Sequence, residues 1–119
     1  MAAKDDLGRL GEELAVRYLT LHGFQVIDRN WRCAQGEIDV IAERDGATVF
    51  VEVKTRSSTA YGHPFEAITF SKLARMRRLA AAWCEQARPR PSIIRLDAIA
   101  VIAPSGDAAS IEHLEGVFR

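Results

Sequence analysis

The sequence predicts an α/β fold in which a central mixed β-sheet is flanked by helices. Three observations predict it. Apolar residues recur at helical spacing near the N-terminus, over Leu7–Leu21. Two β-branched runs, Ile38–Glu43 and Thr48–Thr55, then flank a turn signal. A second helical pattern is followed by a long apolar run, Ile93–Ala103. The expected order is α-β-β-β-α-β, with a weaker last strand, and strands alternating with helices call for a mixed sheet.

The first helix is read from Leu7, Leu10, Leu14, Tyr18 and Leu21, an i, i+3, i+4 stripe. Asp5 or Asp6 is the expected cap and Gly23 the expected stop. Phe24–Arg29 reads as a short strand. The next two strands are joined by Arg44-Asp45-Gly46-Ala47. Ser57–Pro64 is a polar loop in which Tyr61 is placed to stack on a base. The second helix is expected over about residues 70–86, with Leu73, Met76, Leu79, Ala80 and Trp83 on its apolar face. Arg88-Pro89-Arg90-Pro91 ends it. Ile93–Ala103 is the candidate for a central strand, and Ile111–Phe118 for the last one.

With 119 residues, the chain is expected to form one domain spanning 1–119. Its composition, 48% hydrophobic and 27% charged, is that of a soluble globular protein. No apolar run approaches the roughly 18 residues of a membrane span, and the N-terminus lacks an apolar signal segment. Cys33 and Cys84 have neither metal-type spacing nor a disulfide framework, which points to a cytoplasmic protein with inert thiols. His22, His63 and His113 are dispersed and read as structural or solvated.

The formal net charge is zero, but charge is segregated along the chain. Residues 72–95 hold seven basic residues against one acid, and residues 1–47 hold six basic residues against nine acids. The basic stretch could track phosphates.

The most informative chemistry lies in the hairpin. Alternation puts Val49, Val51 and Val53 on one face of the second strand and Phe50, Glu52 and Lys54 on the other. A turn centred on Asp45-Gly46 sets Ile41 opposite Phe50, Asp39 opposite Glu52 and Glu37 opposite Lys54. Two carboxylates facing one another destabilise a hairpin unless a cation offsets them. Asp39 and Glu52 therefore suit Mg²⁺ (or Mn²⁺), with Lys54 beside them to meet a phosphate. The alternative is a solvated edge bearing acids and a lysine, with a plain Glu37–Lys54 salt bridge. On the first helix, Gly8, Gly11, Glu12, Ala15 and Leu19 share one side. Two glycines suggest a close backbone approach, and Glu12 either turns toward the sheet or simply favours the helix dipole. Asp97 reads as an ordinary strand acid.

Gly8-x-x-Gly11-Glu12, Gly36-Glu37-Ile38-Asp39 and Val51-Glu52-Val53-Lys54-Thr55-Arg56, through the final 114–118, together resemble the bacterial YraN-like family. That family belongs to the PD-(D/E)xK nuclease superfamily, near archaeal Holliday-junction resolvases. The resemblance implies a restriction-endonuclease-like αβββαβ core. It implies a metal on Asp39 and Glu52 with the Val53 carbonyl, a catalytic Lys54 and a helix-one Glu12. Ile38 replaces the proline of the signature, a non-catalytic position. Arg56, Lys72, Arg75 and Arg78 are the expected nucleic-acid contacts. The expected activity is metal-dependent hydrolysis of DNA, branched or structured DNA included. The alternatives are a non-catalytic nucleic-acid-binding module and an RNA-directed nuclease. A resolvase-like mode would call for a homodimer.

Overall fold

The first helix lies across a five-stranded sheet, and its contact side is set by small residues. The computed structural model describes residues 2–117, with side chains from residue 6. The elements are α1 (Ala2–Leu21), β1 (Gln25–Cys33), β2 (Gly36–Arg44), β3 (Ala47–Arg56), a 3₁₀ turn (Pro64–Ala67), α2 (Phe70–Gln86), β4 (Ile94–Ile102) and β5 (Ser110–Leu114). The sheet runs β1-β2-β3-β4-β5. All neighbours are antiparallel except β3 and β4, which pair in parallel across the α2 connection. This is the mixed α/β sheet expected, consistent with a restriction-endonuclease-like core. β4 is interior, with β3 at the centre. No helix among the described residues is long and apolar enough to cross a membrane.

Several boundaries differ from the sequence reading. Helix α1 begins at Ala2, so Asp5 and Asp6 lie within it rather than capping it. β1 runs on to Cys33, and β5 ends at Leu114; Phe118 lies outside the described residues. The buried centre of α1 is Ala15 and Leu19, while Leu10 and Leu21 of the expected stripe are exposed. Gly11 explains the shift. A Cβ there would come within 1.8 Å of Thr55 Oγ1, so only glycine lets α1 settle onto β3. Gly8 meets nothing within 4 Å and takes no part in that approach.

The sheet separates two apolar layers. Val40, Ala42, Val49, Val51, Ile99 and Val101 pack beneath α1. Ile38, Ile41, Phe50 and Leu96 pack beneath Met76, Leu79 and Ala80 of α2. Burying each such side chain stabilises the fold by about 1.5–3 kcal/mol. Val49, Val51 and Val53 share the α1 face and Phe50 the α2 face, as alternation demands. In β2 the alternation fails between Ile38 and Val40, since Ile38 and Ile41 reach the same layer.

One charged network is buried in the α1 layer. Asp97 is fully buried, and both its oxygens are saturated. Arg95 donates to Oδ1 from Nε (2.9 Å) and to Oδ2 from Nη2 (2.8 Å). The Gly116 amide donates to Oδ1 (3.0 Å), and His113 Nε2 lies 2.7 Å from Oδ2. A carboxylate only accepts, so His113 donates from Nε2; its Nδ1 is hydrogen-bonded to the Tyr18 hydroxyl at 3.1 Å. The network ties β4, β5 and α1 together.

Burial raises the Asp97 carboxyl, but the bonds from His113, Arg95 and Gly116 outweigh it and hold it below the ordinary 3.8. The stability this adds is complete above the ordinary carboxylate value and is lost as pH falls through the lower folded value. Asp97→Ala leaves Arg95 with Glu115 alone, at 3.7 Å, and removes the acceptor of His113 and of the Gly116 amide; it should cost about 3–5 kcal/mol, read from urea unfolding at pH 7. Its deficit should shrink toward pH 3; a pH-independent deficit would contradict the ionic account. Gly11→Ala should also lower the melting temperature, with partial recovery in a Gly11→Ala/Thr55→Ala double variant.

Candidate functional site

The hairpin register runs as counted from Arg44–Ala47 out to Ile41–Phe50 and Val40–Val51, where the β2–β3 ladder ends. Asp39 and Glu52 are next in line but are not ladder partners. The Asp39 side chain takes over instead: its Oδ2 accepts the Val53 amide at 2.8 Å. Val53 therefore meets Asp39 through its N–H. On the neighbouring strand, Arg29 pairs with Val40 and Trp31 with Ile38, so Asn30 falls between them beside Asp39. Asn30 has a positive φ of 52°, and its Nδ2 donates to Glu12 Oε1 at 2.9 Å. A strand residue with this backbone is uncommon. It brings β1 into contact with the acid from α1.

Glu12 itself is placed by the tight seat of Gly11 on Thr55, one residue beyond Lys54. Its charge reaches Asp39, as do those of Glu52 and Glu37. Burial, followed by the charge of Glu52, raises the Asp39 carboxyl from 3.8 to about 7; Glu12 and Glu37 add to the rise, and the Val53 amide opposes it. The four acids thus form one negative region around a largely desolvated carboxylate.

On the α2 side, Glu37, Glu52 and Lys54 line a small cleft with Ile68, Lys72, Arg75, Met76 and Leu79. Lys54 Nζ lies 3.0 Å from Glu52 Oε2, with both side chains about four-fifths covered (19% and 22% exposed). Lys54 therefore pairs along its own strand with Glu52. The Glu37–Lys54 bridge of the alternative reading is not the pairing found: Glu37 accepts from Arg32 Nε at 3.2 Å. Lys72 approaches Lys54. The Lys54 charge, followed by burial, lowers the Lys72 pKa from 10.5, and Glu52 partly offsets them.

The cleft gathers Lys72 and Arg75 of the four expected nucleic-acid contacts. Arg78 is exposed on α2 outside the cleft lining, and Arg56 folds its Nη1 back onto the Thr55 carbonyl at 2.9 Å. Among the described residues, three potential ligand atoms within 4.8 Å of one another occur in Asp97, His113 and Glu115. Glu12, Asp39 and Glu52 do not converge so tightly. The Asp97 group is a poor metal site, because Arg95 and His113 already occupy the carboxylate. Asp39 and Glu52 fit a hard divalent cation better. They offer oxygen donors, and Asp39 sits in a surplus of negative charge.

Sequence reasoning missed Asn30, for which no pattern signal exists. It also took Asp97 and His113 as ordinary residues. The signal for Asp97 was present, an acid inside the apolar run 93–103 beside Arg95. The placement of His113 against it was not.

A family model described as "Uncharacterised protein family UPF0102" matches residues 11–101. The chain belongs to this family. UPF0102 proteins similar to it come from Arthrobacter sp. (strain FB24), 52% identical over 98% of this chain and 99% of that protein, and from Leifsonia xyli subsp. xyli, 53% identical over the same shares. Another, from Pseudarthrobacter chlorophenolicus, is 54% identical over 98% of this chain and 89% of that protein. The UPF0102 assignment agrees with the YraN-like resemblance. The family match spans Gly11 to Val101 and so includes every residue of the acidic site.

The raised Asp39 value sets a pH dependence of stability. Its folded value exceeds the unfolded 3.8, so stability is fully present below that value and is lost as pH rises through about 7. Asp39→Asn keeps an acceptor for the Val53 amide and removes the charge. It should raise the melting temperature at pH 8 by several degrees, about 1–3 kcal/mol, and change little at pH 4. A variant that melts lower than the parent at pH 8 would contradict this account.

Proposed function

We propose that this UPF0102 protein is a divalent-metal-dependent nuclease that hydrolyses phosphodiester bonds of DNA. The observation supporting this most is the crowding of Glu12, Glu37 and Glu52 around a half-buried Asp39, with Lys54 on the next strand. An acid held against its own charge is costly to the fold, and such perturbed groups cluster at functional sites.

Asp39 and Glu52 would hold the ion, Mg²⁺ or Mn²⁺, with Val53 as a further backbone candidate. A bound divalent ion supplies acidified water and polarises the phosphoryl oxygens. The protein's own groups do the remaining work. Lys54 offers its ammonium to the oxygen on which charge develops. Lys72 and Arg75 line the same cleft and suit the flanking phosphates. Glu12, fixed by Asn30, keeps the Asp39 region negative and so favours a cation there.

A second reading is a non-catalytic nucleic-acid-binding module. The Glu52–Lys54 ion pair favours it, because two candidate catalytic groups already neutralise each other. Cleavage of linear, single-stranded, flapped and four-way DNA, and of RNA, in Mg²⁺ and Mn²⁺ separates the readings. The nuclease reading expects cleavage of DNA that falls by at least about 100-fold in Asp39→Ala and Lys54→Ala, with unchanged circular dichroism. Undiminished cleavage in either variant would refute the mechanism. Retarded DNA mobility without cutting would establish the binding module, and cutting of RNA alone would move the substrate class.

A further inference from the structure

Two aromatic side chains, one in the loop after β3 and one at the first residue of α2, stand almost wholly in solvent. Tyr61 is fully exposed and Phe70 is 87% exposed. A single exposed apolar residue needs no explanation. These two share one segment, 56–78, with five basic residues (Arg56, Lys72, Arg75, Arg77, Arg78) and one acid, Glu66.

The segment starts two residues after Lys54 and meets the cleft again at Ile68, Lys72 and Arg75. Tyr61 sits on a turn closed by the Gly62 amide donating to the Thr59 carbonyl, at 3.0 Å. Gly62 has φ +106°, and a Cβ there would lie 2.6 Å from Glu66 Oε1, so the turn folds hard against the 3₁₀ helix. That helix is capped in both directions: the Phe65 amide donates to His63 Nδ1 (3.0 Å), and the His63 amide donates to Glu66 Oε2 (3.3 Å). The His63 ring also pairs with Glu112 of β5. Tyr61 is thus presented by a braced turn. Phe70 opens α2 behind its cap, Thr69, whose Oγ1 accepts the Lys72 amide at 3.2 Å. It stands between two cleft residues, Ile68 and Lys72, and side chains on a helix lean toward its N-terminus.

Aromatic faces interleaved with cations suit single-stranded nucleic acid. Unpaired bases offer their π-faces, whereas in a duplex those faces are already stacked on one another. We propose that Tyr61 and Phe70 are stacking platforms for unpaired bases, and that the site takes a single-stranded DNA segment whose phosphates follow Lys72 and Arg75. This rests on the nuclease reading for the path of the phosphates.

The test is fluorescence anisotropy in EDTA, which prevents metal-dependent cutting, using a labelled oligothymidylate and a blunt duplex of equal length. The wild-type chain should prefer the oligothymidylate. Tyr61→Ala and Phe70→Ala should each weaken its binding about tenfold, change duplex binding less than twofold and keep the wild-type melting temperature. Tyr61→Trp should retain the affinity. The proposal is overturned if either alanine variant binds the oligothymidylate like wild type, or loses both ligands equally. Failure of the wild-type chain to cut any substrate, with the aromatic-dependent preference intact, would remove the nuclease reading and leave the platforms standing.

Discussion

At Asp39 the pairing of β2 with β3 stops, and a carboxylate accepts the Val53 amide where the ladder leaves off. That substitution sets the character of this end of the sheet. The strands are released from strict pairing there, and an acid enters surroundings that disfavour its charge. Burial and the neighbouring acids lift its proton affinity to near neutrality. Stability alone would favour an amide or an apolar residue at this position.

The remaining structure holds that strained end in place. Gly11 lets α1 descend onto Thr55, which fixes Glu12 beside the acidic region. Asn30, with its unusual backbone, connects Glu12 to β1. On the other face, α2 brings Lys72 and Arg75 toward Glu52 and Lys54. Glu12 thus approaches Asp39 from α1, whereas Glu37, Glu52, Lys54, Lys72 and Arg75 line the cleft on the α2 side. The Arg95–Asp97–His113 network lies on the α1 face and fastens β5 to β4. Its carboxylate is held by Arg95, His113 and the Gly116 amide, whereas Asp39 accepts one backbone amide and lies among the charges of Glu52, Glu12 and Glu37.

Much of the fold was legible in the chain because period and turn chemistry are local. Alternation in 48–55 assigned Val51 and Glu52 to opposite faces, and Asp45-Gly46 set the register correctly through Val40–Val51. The count failed at the next step for a reason no pattern carries: a side chain can replace a ladder bond. The leucine stripe of α1 misjudged Leu10 and Leu21, because the helix turns its small residues, not its largest, toward β3. Lys54 was placed on the same face as Glu52, and the two side chains pair there.

By itself the sequence determined the element order, the face of each β3 residue and the candidate set Glu12, Asp39, Glu52 and Lys54. The elements and faces follow from periodicity and turn residues, Asp39, Glu52 and Lys54 from the hairpin count, and the role of Glu12 from the family resemblance. Only the tertiary structure decided which acids share a field and which are neutralised. It brought Asn30 to Glu12, Lys72 to Lys54, and His113 to Asp97 across 16 residues. Electrostatic interaction depends on distance and burial in three dimensions, and neither is encoded in local spacing along the chain.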